Sequence, residues 1–92
     1  MKLLSEKEIN KKLKNLNGWY FSNGSVKKKF KTKGYPQTVG LVTSVAALCQ
    51  QFDHHPDYII MKYSEVEISF STHSTGGVTD KDMQIAEEIE KL

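Results

Sequence analysis

Hydrophobic positions along this chain switch between a spacing of three to four and a spacing of two, and turn residues mark each switch. Ile9, Leu13 and Leu16 form a helical stripe. Ser5 with Glu8 makes a capping box, Leu4 is placed to staple onto Ile9, and Asn17-Gly18 supplies the stop. Trp19 to Ser22 and Ser25 to Thr32 flank Asn23-Gly24, a strong hairpin signal, and predict two antiparallel strands. In the second of these, Val26 and Phe30 share a face with Lys28, while Lys27, Lys29 and Lys31 share the other. From Pro36 onward Val39, Val42, Val45, Ala46, Cys49 and Phe52 return to helical spacing and predict the longest helix.

Pro56 pushes His55 toward extended backbone and rules out further helix. Tyr58 to Tyr63 is an apolar, aromatic-rich run. Glu65 to Ser71 alternates, with Val66, Ile68 and Phe70 opposite Glu67, Ser69 and Ser71, which predicts a second hairpin around Ser64. After a polar loop from Thr72 to Val78, Thr79 with Asp82 repeats the capping logic ahead of Ile85, Ala86, Ile89 and Leu92, and Val78 can staple onto Met83. The order α-β-β-α-β-β-α predicts an α+β fold: a single antiparallel four-stranded sheet with three helices on one face, in one domain covering residues 1–92.

Composition adds limits. With 92 residues, 38% hydrophobic and 26% charged, the chain has material for one core, and no apolar run approaches the roughly 18 residues of a membrane span. Met1-Lys2-Leu3-Leu4 turns polar at Ser5, unlike a secretory signal, so a cytoplasmic location is expected. The lone Cys49 falls inside the helical pattern and reads as a buried, inert thiol. The net charge is +2, yet Lys27, Lys28, Lys29, Lys31 and Lys33 crowd one segment. Such a cluster either touches phosphates or forms a solvated strand face that discourages edge pairing; the second is favoured, and no nucleic-acid or membrane partner is expected.

The chemistry-bearing residues lie in connections. His54 and His55 precede the third predicted strand and His73 follows the fourth, so antiparallel pairing of those strands brings all three to one sheet edge. Imidazole titrates near pH 6.5 and suits general acid and base work at neutral pH. Three histidines also suit a zinc centre, but adjacent side chains in extended backbone point apart, which counts against His54 and His55 sharing an ion.

Asp53-His54-His55-Pro56-Asp57-Tyr58, Val66 through His73, and Thr79 through Asp82 resemble the pterin-4a-carbinolamine dehydratases, also called dimerization cofactors of a homeodomain transcription factor. The resemblance covers nearly the whole chain. It implies loss of water from a 4a-hydroxytetrahydropterin to give the quinonoid dihydropterin, in tetrahydrobiopterin recycling, with no cofactor and no metal. It implies His54, His55, His73 and Asp82 as catalytic residues, with His54 and His73 as acid and base and His55 mainly holding the pterin. Asp53, Ser71, Thr72 and Ser74 match positions that line the family's pterin site, Tyr58 stands where many relatives carry tryptophan, and Pro56 fixes the direction of His55. Asp82 either orients His73 or serves only as the third residue of its helix, and the two readings are compatible. Relatives usually carry an ionisable group at the position of Gln50, so slower turnover or a different substrate is expected here. A homodimer or homotetramer is also implied. The alternative is a non-catalytic pterin-binding or protein-interaction module.

Overall fold

The computed structural model describes residues 1–92. Helix α1 (Glu6–Leu13) leads into strands β1 (Tyr20–Ser22) and β2 (Ser25–Lys31), then α2 (Tyr35–Gln51), β3 (Tyr58–Met61), β4 (Glu65–Phe70) and α3 (Asp80–Glu90). This is the expected order. The four strands form one antiparallel sheet in the order β1-β2-β4-β3, so the two hairpins join through β2 and β4 and leave β1 and β3 as edges.

Register assigns the faces. Val26 pairs with Phe70, Lys28 with Ile68 and Phe30 with Val66, and Val26, Val66, Ile68 and Phe70 are fully buried against the three helices. Ile9 from α1, Val45 and Cys49 from α2, and Met83, Ile85, Ala86 and Ile89 from α3 complete that core. Lys28 lies on the same face because its ammonium reaches out to Glu90 at 2.8 Å while passing over the Phe30 ring, and Trp19 Nε1 donates to the same carboxylate at 3.0 Å. On the opposite face Lys31 pairs with Glu65 and Lys27 lies over the Tyr58 ring. Three of the five clustered lysines therefore have partners within the chain.

Both capping boxes form: Ser5 with Glu8, and Thr79 with Asp82. Elsewhere local reading and structure differ. Helix α1 ends at Leu13, four residues before the expected stop, because Asn15 and Leu16 tighten onto Lys12 and Leu13; this turns Leu16 into the core, and Gly18 then takes a φ of +85°. In α2, Val39 and Ala46 were expected in the buried stripe but are exposed, and Thr38 is buried in their place. The Thr38 hydroxyl bonds the Gly34 carbonyl, the Tyr63 carbonyl and the Thr32 hydroxyl, and this rotates α2 so that Thr38, Val45 and Cys49 face inward. The Cys49 thiol is pushed up to about 11 by its burial.

Candidate functional site

Helix α2 ends in a way that aims the first histidine. Asp53 adopts a φ of +50°, its N–H bonds the Gln50 carbonyl, and the His54 N–H reaches back to the Cys49 carbonyl at 3.0 Å. These two bonds are a Schellman cap with aspartate where glycine is usual; aspartate tolerates the left-handed region better than most residues. The helix thus stops four residues before His55, ahead of the limit that Pro56 would impose. His54 then turns inward, stacks on Phe70 with ring centroids 6.0 Å apart, and is buried.

Its Nε2–H donates to Asp82 Oδ1 at 2.5 Å, and Asp82 is fully buried. Asp82 Oδ2 accepts from the Thr79 N–H at 2.8 Å and the Thr72 hydroxyl at 3.0 Å. One carboxylate therefore caps α3, anchors the end of β4 and holds a histidine. The expected contact of Asp82 with His73 is overturned: its imidazole is His54, because the first turn of α3 faces the end of α2. Gln50 likewise contacts His55, whose Nε2 lies 3.3 Å from Gln50 Oε1, and makes no bond to His54.

His73 enters from the other side. Thr72 and Gly77 form an isolated bridge, closed by Thr72 N–H to Gly77 at 2.7 Å and Gly76 N–H to Thr72 at 2.9 Å, and His73 sits at the start of the loop between them. Its Nε2–H donates to Asp57 Oδ1 at 2.8 Å. Asp57, placed at the entrance of β3 by its N–H bond to the Ser69 carbonyl, also accepts hydroxyls from Ser25, Ser69 and Ser71. Burial pushes the Asp57 carboxyl up, but the bonds from Ser71, Ser69, Ser25 and His73 outweigh it and hold it at about 2.

Between the two loops lies a hollow of about 320 Å³. It is small for a ligand site but within the usual range. His54, His55 and His73 all line it, as do Asp53, Pro56, Ser71, Thr72 and Ser74. Those eight expected site residues come together. Two do not: Asp82 lies behind His54, and Tyr58 is on the outer sheet face, in the row with Ser69 and Lys27. Tyr58 donates to Glu67 Oε2 there, and this bond, with burial, pushes its phenol up to about 12. Tyr58, expected among the site residues from the family's tryptophan position, therefore gives the hollow no aromatic wall. Met1 and Lys81 line it and were not anticipated, nor was Asp57. No group of three or more metal-ligating side chains is arranged to hold an ion. The arrangement offers two imidazoles, each oriented by a carboxyl group through Nε2, beside a third that is held by a neutral amide.

A sequence model of the family described as pterin 4 alpha carbinolamine dehydratase matches residues 2–92. A Sulfolobus acidocaldarius protein provisionally named pterin-4-alpha-carbinolamine dehydratase is 39% identical over 89 residues, covering 97% of both chains. An Aquifex aeolicus protein with the same provisional name is 36% identical, covering 97% of this chain and 89% of its own. A crystal structure of a transcriptional coactivator/pterin dehydratase from Brucella melitensis superposes with a TM-score of 0.91 at 29% identity, covering 98% and 97% of the two chains. A pterin dehydratase-like RuBisCO assembly factor of the alpha-carboxysome shares the fold alone, with a TM-score of 0.70 at 19% identity. With residues 2–92 matched and its histidines on two facing loops, the chain belongs to the pterin 4 alpha carbinolamine dehydratase family.

Proposed function

We propose that this protein eliminates water from a 4a-hydroxytetrahydropterin, giving the quinonoid dihydropterin by histidine general acid and base catalysis. The observation that carries this reading is the convergence of His54, His55 and His73 on one polar hollow. Hydroxide is a poor leaving group, so an acid must protonate the oxygen as the bond to C4a breaks. A base removes the N5 proton, the C4a to N5 double bond forms, and water leaves. Each such transfer typically contributes about 10² to 10⁴ in rate. His54 and His73 supply the two transfers. Both rings use Nε2 to bond a carboxylate, which leaves Nδ1 as the nitrogen free to exchange a proton with substrate. His55, with the exposed polar groups of Asp53 and Ser74, holds the heterocycle at the rim.

Purified protein is expected to accelerate the decay of synthetic 4a-hydroxytetrahydropterin, and His73→Ala to lower kcat at least about tenfold. An unchanged rate in that variant removes His73 from the chemistry.

A second reading is an interaction module. It is favoured by the exposed apolar side chains Tyr35 and Val39 on α2, and the Brucella relative is itself titled a coactivator. The two separate in a complementation assay: a catalytically dead variant that still rescues a deletion phenotype supports the interaction role. We also assign this chain to a homodimer or larger assembly, supported by that α2 surface and by Ile60, Met61 and Tyr63 exposed at and beside the β3 edge.

A further inference from the structure

We infer that Asp57 is the positioning residue of His73: its carboxylate fixes the imidazole as the Nε2–H tautomer and turns Nδ1 toward the hollow. This rests on the reading above in giving His73 a proton to transfer, but the positioning itself stands on geometry.

The His73 side chain is 79% exposed and lies on a loop, so packing does not choose its rotamer. Its one hydrogen bond is to Asp57 Oδ1. That oxygen is itself immobile. Ser71 donates to it at 2.5 Å, Ser25 and Ser69 donate to Oδ2 at 2.8 and 2.7 Å, and the Asp57 N–H is tied to the Ser69 carbonyl at 2.7 Å. The serines come from β2, β4 and the residue after β4, so the sheet itself holds the carboxylate in place.

A carboxylate offers about four acceptor sites, and three hydroxyls and one imidazole fill them. Held ionised at about 2, Asp57 only accepts, which requires the proton of neutral His73 to be on Nε2. Nδ1 then carries the lone pair. The other titratable residues lining the hollow are Asp53, His54, His55, Lys81 and, through its α-amino group, Met1, with Asp82 behind His54; none of them bonds His73.

Nitrogen-15 correlation spectra of the histidine rings, recorded with His73 neutral, are expected to show the Nε2–H tautomer in the wild type and a mixture in Asp57→Asn. In the same variant kcat for 4a-hydroxytetrahydropterin is expected to fall about ten- to hundredfold, while KM stays within about threefold. In a His73→Ala background Asp57→Asn should change kcat by less than about twofold, because the two residues act as one unit. A wild-type Nδ1–H tautomer overturns the proposal, as does full multiplication of the two losses in the double variant. If Asp57→Asn does not fold, the wild-type spectrum still decides. If the wild type shows no dehydratase activity, the proposed reaction fails while the spectra continue to test the positioning.

Discussion

His54 and His73 reach the same hollow under opposite conditions: the first ring is buried against Phe70 and the second stands largely in solvent. Packing on Phe70 and the bond to Asp82 together orient His54; for His73 the carboxylate is the whole of the restraint. Asp57 is also linked to acid stability. Its folded value of about 2 lies below the ordinary 3.8, so its stabilisation is complete above about pH 4 and is lost as pH falls toward 2. With one pKa unit equivalent to about 1.4 kcal/mol, the contribution reaches up to about 2 kcal/mol. Urea titrations between pH 6 and 2 should therefore give a flatter stability curve for Asp57→Asn than for the wild type across that window. The three histidines were legible in the sequence because each interrupts a periodic pattern next to a strand end. Asp57 was not. Its meaning depends on Ser25, which reaches it only through the β2 and β4 pairing, and no local pattern reports that register. Asp82 was legible as a cap, but its imidazole partner depends on where the end of α2 meets the start of α3.

At the scale of elements, the C-terminal turn of α2 carries the site. The Asp53 backbone at a φ of +50° permits the His54 N–H to close on Cys49, and a β-branched side chain resists that conformation. Asp53→Val should cost about 1–2 kcal/mol in chemical denaturation and lower activity with it, whereas Asp53→Gly should leave stability within about 1 kcal/mol of the wild type. The hairpins and the two capped helices were readable because their signals are local: Asn23-Gly24, Ser5 with Glu8, and Thr79 with Asp82. The inward face of α2 was readable only in part: Val45 and Cys49 are buried and Val42 and Phe52 pack on the core, but Val39 and Ala46 do not, because apolar residues surround this helix and periodicity leaves its exact rotation open. Thr38 makes the selection through bonds to Thr32 and Tyr63, residues that flank the helix in sequence or lie beyond the next strand.

For the whole molecule, three of the seventeen residues of α2 are buried, and Tyr35, Val39, Ile60, Met61 and Tyr63 all expose apolar surface. A chain of this size gains from covering such surface. Sedimentation at micromolar concentration is expected to give a dimer or larger, and Val39→Glu or Ile60→Lys to shift the distribution toward smaller species; a wild-type monomer would remove the assembly. The buried Cys49 gives the molecule a reporter of a different kind. Its thiol is scarcely ionised near neutrality, and its carbonyl holds the backbone of His54. An alkylating reagent can capture that sulfur only when the end of α2 lifts away, so the labelling rate in the native state measures how often the segment bearing the histidine pair opens. Any ligand that braces this segment should slow the labelling in proportion to its occupancy.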